Sequence, residues 1–262
     1  MRLKQHAPNV MVATSEMYMT NTTVVTAGSR CLLIDPALLP GELAALESDL
    51  AELHLEVEAA VSTHPHWDHV LWSAGLGNAP RYASRKAIDF LAHHRKEAID
   101  DQLAGAGERW YAKWDNELVA RLTEIPGDQR VPWSGPAALF VTHDAHAVGH
   151  SAVFFPELGV LVAADMLSDI EVPGLDWDRP NQLDDYASGL GRLAALQHVQ
   201  LVIPGHGHAG DGRAFQDRLA ADRKYLAGLV SGDVQDPRLD GWPPMRRQHE
   251  GNVEGYAKTR NQ

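Results

Sequence analysis

The stretch STHPHWDHV, residues 62–70, sets His64, His66, Asp68 and His69 within six consecutive positions. Neighbouring imidazoles repel once protonated, and their ordinary pKa lies near neutrality. Such crowding needs a common partner that holds the four side chains together. The residues just before, EAAVST at 58–63, form a short apolar run of strand character. The cluster therefore stands at a strand's C-terminal end, where α/β proteins usually place their chemistry. His64 and His66, two apart in extended chain, can point the same way. Asp68 and His69 follow where the chain turns toward a helix, so they can face a second ion.

Outward from this loop the pattern alternates. NVMVAT (9–14), NTTVVTA (21–27) and CLLID (31–35) read as strands, rich in β-branched and apolar residues. PGELAALESDLAEL (40–53) switches to the helical period, with Leu43, Leu46, Leu50 and Leu53 on one face. Downstream, ALFVTHDA (138–145) is a strand, and AVFFPELGVLVAAD (152–165) is a hairpin turning at PELG. NQLDDYASGLGRLAAL (181–196) is a helix burying Leu183, Tyr186, Leu190 and Leu193. VQLVIPGHG is a strand ending in a histidine, and DGRAFQDRLAADRKYLAGLV (211–230) a closing helix. Two sheets packed face to face, with helices outside, satisfy this plan.

Residues 84–123 break the alternation. SRKAIDFLAHHRKEAIDDQ and GERWYAKWDNELVARL read as two helices separated by LAGAG, too short to own a core. We expect one domain over 1–262, a helical insertion or lid at about 84–123, and a polar, proline-containing tail from about 231.

Other histidines and aspartates recur at strand ends. The loop after ALFVT carries His143, His146 and His150; VLVAA ends in Asp165; LVIPG ends in His206. Imidazole and carboxylate are the nitrogen and oxygen ligands that zinc and related divalent ions prefer. One ion needs three or four protein ligands, so this many candidates predict two ions bridged by a carboxylate. A glycine in PGHG lets the backbone approach closely.

HPHWDH fits the H-x-H-x-D-H signature of the metallo-β-lactamase superfamily. HAVGHSAVFFPELGVLVAAD resembles that family's third-ligand loop, hairpin and bridging aspartate, VIPGHG its last histidine motif, and LLIDP its early strand ending in aspartate. The resemblance spans about 9–230. It implies a four-layer αββα sandwich of two mixed β-sheets. It also implies that His64, His66 and His146 serve one ion, that Asp68, His69 and His206 serve the other, and that Asp165 bridges them. Three positions depart from the family pattern. Ala145 precedes His146 where glycine is usual, Ala147 follows it where threonine is usual, and Ala164 precedes Asp165 where glycine is usual. His143 and His150 remain rivals for the place of His146.

The resemblance further implies two divalent ions, zinc first, with iron or manganese as alternatives. It implies hydrolysis of an ester, thioester, lactone or amide-like bond by a metal-bridging hydroxide, with Asp68 orienting the nucleophile and passing a proton. The lone cysteine, Cys31, lies far from the position of the cysteine ligand many β-lactamases use, which argues against antibiotic hydrolysis. Ser168 stands where quorum-quenching lactonases carry a tyrosine, and MRRQHE is at most an echo of the basic segment of glyoxalase II-type thioesterases. A single-iron enzyme resembling the persulfide dioxygenases is the alternative, and a non-catalytic metal binder a lesser one. Trp67, Trp177, Trp110 and Trp114 are candidates for the substrate pocket as well as for packing.

Bulk properties bound the partners. Twenty-three Lys and Arg against 35 Asp and Glu give a formal charge of −12, which disfavours nucleic acid and anionic membranes. Cys31 allows no internal disulfide and suits a reducing compartment. With no signal-peptide pattern and no membrane-length apolar run, the expectation is a cytoplasmic protein acting on a small molecule. The sequence leaves a homo-oligomer open.

Overall fold

The structure, a computed structural model, describes residues 2–36, 39–106 and 118–260. Strands β1 (Lys4–Ala7), β2 (Val10–Thr14), β3 (Asn21–Ala27) and β4 (Arg30–Ile34) form an antiparallel meander. Helix α1 (Pro40–Glu52) then carries the chain back, so that β5 (Glu56–Val61) pairs parallel to β4. β6 (Arg81–Ala83) and β7 (Thr123–Glu124) extend the same sheet in parallel, with α2 (Arg85–Ala106) between them. In the second sheet β8 (Leu139–Thr142), β9 (Ser151–Phe155) and β10 (Val160–Ala164) are antiparallel neighbours. Helix α3 (Gln182–Ala194) crosses over to β11 (Leu201–Pro204), parallel to β10, and β12 (Gly210–Asp211) closes the edge. Helices α4 (Gly212–Ser231), α5 (Arg238–Gly241) and α6 (Pro244–Thr259) follow.

Alternation along the strands sorts the side chains into layers. Val25, Leu32, Ile34, Ala59 and Val61 of the first sheet meet Phe140, Val153, Phe155, Val162 and Ile203 of the second, forming the core between them. The opposite face of the first sheet sends Val24, Cys31, Leu33 and Ala60 against Leu43, Leu46 and Leu50 of α1. The opposite face of the second sends Phe154, Leu161, Ala163 and Val202 against Tyr186, Leu190 and Leu193 of α3 and Phe215, Leu219 and Tyr225 of α4. This is the αββα sandwich of two mixed sheets that the sequence predicts. Helix α1 begins where its sequence says. Pro40 stands in its first turn, and Glu42 accepts the Leu39 N–H at 3.0 Å.

The insertion is only partly as expected. α2 runs through the LAGA predicted to separate two helices, and Thr123, at the expected end of the insertion, lies in β7. Leu118 to Ala120 form a turn. Trp110 and Trp114 lie outside the described residues. The polar segment after 231 contains α5 and α6. The buried residues of α6 are Met245, Asn252 and Gly255, too few apolar side chains to show a helical period. A Cβ on Gly255 would lie 2.2 Å from Trp177, so α6 packs there only because it lacks one.

One edge of the sandwich gathers the strand ends. β4 and β5 end there in parallel, as do β10 and β11, and β8 ends beside the start of β9. The two sheets are stitched at this edge. Ser151 N–H donates to Thr63 O at 2.8 Å, Asn21 N–H to Gly205 O at 2.7 Å, and Asn21 Nδ2 to Pro204 O and Gly207 O at 2.9 Å each. Loops from both sheets are thereby held facing one another.

Candidate metal centre

Seven side chains converge at this edge. His64, His66, His146 and Asp165 form one group and Asp68, His69 and His206 another, the ligand-type atoms of each lying within 4.8 Å of one another. His66 Nδ1 is 3.1 Å from both His64 Nε2 and His146 Nε2. Asp165 Oδ2 lies 3.4 Å from His64 Nε2, 3.4 Å from His146 Nε2 and 3.2 Å from His206 Nε2, while its Oδ1 is 3.2 Å from His69 Nε2. Asp68 Oδ2 is 3.4 Å from His69 Nε2 and 3.3 Å from His206 Nε2. The Asp165 carboxylate thus stands between the groups, one oxygen reaching into both.

Local structure explains how each group arrives. His64 and His66 lie in the bend beyond β5, His66 itself extended, and Trp67 to His69 make one 3₁₀ turn that swings Asp68 and His69 round. His146 sits on the loop between β8 and β9. That loop is pinned to the start of α2, because Ser84 Oγ donates to Gly149 O at 2.6 Å and Lys86 pairs with Asp144. Asp165 follows Ala164, whose φ of 50° is left-handed, a conformation that costs a residue with a Cβ. Gly205 comes so close that a Cβ there would lie 1.9 Å from Asp165 Oδ1.

The second nitrogen of four rings is committed, and this fixes where their lone pairs point. Thr63 Oγ1 donates to Asp35 Oδ2 at 2.6 Å, so it accepts from His64 Nδ1 at 3.1 Å. His69 Nδ1 donates to Asp35 Oδ2 at 2.8 Å, His146 Nδ1 to Gly174 O at 3.2 Å, and His206 Nδ1 to Tyr18 O at 3.0 Å. In all four rings Nε2 is left to face the centre, free to offer a lone pair once its proton is displaced. Asp35 was legible only as part of LLIDP, and its task as the partner of His69 and Thr63 belongs to the fold.

These donors fit metal ions. Among the described residues His69 Nε2 and Asp165 Oδ1 are buried 3.2 Å apart with no well-formed hydrogen bond. With His69 neutral they would be two acceptors face to face, so either a proton or a metal cation must lie between them. Burial holds His64 well below its ordinary pKa, with the charge of His69 adding; burial and then His66 push His146 down to about 4. His69 and His206 are pulled well above it, burial opposing but Asp165 and further carboxylates prevailing. Asp68 and Asp165 are held well below the usual carboxylate range, burial opposing but the neighbouring imidazoles prevailing. One group is therefore neutral imidazole. In the other a cation would displace protons.

His143 and His150, the rivals of His146, do not join either group. They stack behind it, His143 on His150 with ring centres 4.7 Å apart and His150 on His64 at 5.0 Å. His150 Nε2 accepts the Asp165 N–H at 3.2 Å and so braces the bridging residue. His208 is exposed and bound to Asp169, His93 is exposed, and His94 stacks on Phe90.

Over the centre lies a cavity of about 200 Å³, walled by His66, His146, His206, Glu171, Ser168 and Gln248. A groove of about 360 Å³ continues from it past Gly174, Trp177 and Asn252. Trp177 thus stands where a substrate contact would. Trp67 lines neither space, and packs instead against Val70, Leu71, Leu91 and Val119. Ser168 Oγ donates to His206 O at 2.8 Å. Sequence reasoning missed Glu171, Gln248 and Asn252, which lie in a loop and a helix with no motif. A larger recess of about 600 Å³ between α1 and β5 contains none of the seven ligand-type residues.

Comparison with known proteins gives the same picture. The family model described as the metallo-β-lactamase superfamily matches residues 16–206. No curated protein matches the chain. Among solved structures, a metallo-β-lactamase family protein from Thermus thermophilus superposes with a TM-score of 0.67 at 24% identity, over 87% of this chain and 82% of that one. A β-lactamase domain protein from Burkholderia ambifaria gives 0.65 at 20% identity, over 88% and 74%. A stereoselective inverting sec-alkylsulfatase from Pseudomonas sp. gives 0.63 at 19% identity, over 88% of this chain but 42% of its own. Likeness at these identities is likeness of fold.

Proposed function

The chain belongs to the metallo-β-lactamase superfamily, and on that footing we propose that it is a dinuclear metal-dependent hydrolase, cleaving an ester, thioester, lactone or amide-like bond of a small molecule. The observation that carries this reading is Asp165, whose carboxylate lies within 3.2–3.4 Å of ligand nitrogens in both groups. His64, His66 and His146 would hold one ion and Asp68, His69 and His206 the other, with Asp165 shared. The all-nitrogen-and-oxygen donor set favours zinc, with iron or manganese as alternatives.

Bound divalent ions supply Lewis acidity and a water acidic enough to ionise near neutral pH. The chain's own residues do the rest. Asp35, Thr63, Gly174 O and Tyr18 O hold four rings in one orientation and tautomer. Asp68, facing the cavity, is placed to orient the attacking water and to carry a proton to the leaving group. Trp177 and the α6 residues Gln248 and Asn252 would bind the part of the substrate that does not react. The complete second group, Asp68, His69 and His206, supports two ions over the single iron of a dioxygenase-like enzyme.

Among the described residues no helix is long and apolar enough to cross a membrane. A small-molecule substrate in the cytoplasm, without nucleic acid or membrane as partner, belongs to the same proposal. It rests on the charge of −12 and on the lone, buried Cys31.

Elemental analysis and a steady-state panel of esters, thioesters, lactones, amides and phosphodiesters on one metal-replete sample test this reading. Two ions per chain and turnover abolished by chelation are expected. One iron per chain, or no turnover on any of these bonds, overturns it.

A further inference from the structure

The metal ligands leave one charged group of the cavity without a task. Glu171 forms part of its wall, in the loop that leaves β10 after Asp165. The main chain beneath it is locked, for Ser168 Oγ accepts the N–H of Ile170 at 3.1 Å and of Glu171 at 3.0 Å while donating to His206 O at 2.8 Å. Its carboxylate is different. Among the described residues no hydrogen bond or ion pair reaches it. The other carboxylate at this depth besides the ligands, Asp222, is paired with Arg238 at 2.7 Å.

Among the described residues no lysine or arginine lines the cavity or its groove, whereas Asp176 adds a second carboxylate along the groove. A carboxylate carried on a locked main chain in a partly buried wall interacts strongly with whatever enters, since less water screens it than in bulk. A site with an unpaired polar group discriminates steeply between a ligand that completes the pair and one that does not. A ligand carboxylate held against Glu171, out of reach of the ions, would meet like charge with no arginine to receive it.

Resting on the hydrolytic reading above, we propose that Glu171 is a specificity-determining residue that selects substrates bearing an ammonium group beside the scissile bond and turns away those bearing a carboxylate there. The Glu171 carboxylate receives the ammonium protons, and the neutral or cationic remainder lies along the groove past Trp177.

Cobalt-loaded protein tests this without turnover, because a thiolate bound to cobalt gives its own absorption band. Cysteamine and its longer ω-aminothiol homologues, ethanethiol, and 3-mercaptopropionate would be titrated into wild-type protein and Glu171→Gln. The best aminothiol is expected to bind wild type at least about tenfold more tightly than ethanethiol, the worth of one charge-assisted pair, with mercaptopropionate weakest. In E171Q, whose cobalt content and melting temperature are checked alongside, the three classes should converge to within about threefold. Equal affinities in wild type, or an unchanged order in E171Q, overturn this inference while leaving the hydrolytic reading intact. Failure to bind two cobalt ions overturns that reading and this inference with it.

Discussion

The Asp35 carboxylate and the His69 imidazole lie 2.8 Å apart, Oδ2 to Nδ1, both sealed from solvent. The same oxygen receives Thr63 Oγ1, which in turn takes the proton of His64 Nδ1. One carboxylate at the end of β4 thereby orients a ring in each metal group. Replacing Asp35 by Asn leaves one acceptor oxygen, which the Thr63 N–H already takes, so His69 Nδ1 and Thr63 Oγ1 lose theirs, and His64 is affected through Thr63. Metal affinity should fall about 10- to 100-fold, as for other partners of metal-bound histidines. Competition against a chromophoric chelator measures it, and unchanged affinity would refute the role given to Asp35.

The close approach of Gly205 to Asp165 makes a sharper prediction. In Gly205→Ala the new methyl would sit 1.9 Å from Asp165 Oδ1, so the bridging carboxylate must leave its place. Fewer than two ions should remain per chain in protein whose circular dichroism is native. Ala164→Gly should do the opposite. It relieves a left-handed φ of 50° and should stabilise the fold by up to about 1 kcal/mol in urea, the gain being trimmed by the glycine's freer unfolded chain.

His146 and His143 are separable by metal content. His146→Ala deletes a nitrogen that faces His66 and Asp165, and should empty or weaken the first position. His143→Asn should keep both ions, because His143 stacks on His150 and its Nδ1 accepts the Ala145 N–H. Full metal content in His146→Ala would overturn the ligand assignment.

His143 also gives the fold an acid sensitivity. Burial, with the charge of Arg192, pushes its imidazole down to about 4, against an ordinary 6.5 in the unfolded chain. The unfolded state therefore binds the proton first, and stability contributed by the neutral ring is lost as pH falls from about 6.5 toward 4. Between pH 7 and pH 5 this group alone should remove about 2 kcal/mol. Urea denaturation of chelated wild type and His143→Asn at both pH values should show the variant losing less, by that amount. Parallel losses would refute it.

Much of this was legible in the chain. The period of NTTVVTA, the leucines of α1 and the PELG turn specified elements through local rules, and HPHWDH announced a metal site because four such side chains rarely crowd without a cation. Asp165 and His206 stood at strand ends, where chemistry was to be sought. Other features had no local signal. α6 has too few apolar residues to show a period, since its contacts are Gln248, Asn252 and Gly255 against a distant loop. Trp67 lies within the metal motif, yet its environment comes from α2 and the turn at Val119. Strand and helix periods and the placing of histidines and aspartates at strand ends specified the layers and the ligand types, because both follow from spacing along one chain. That His146 and not His143 faces the centre, that Asp35 governs two rings and that Glu171 lines the cavity each depend on chain segments brought together only when the two sheets close.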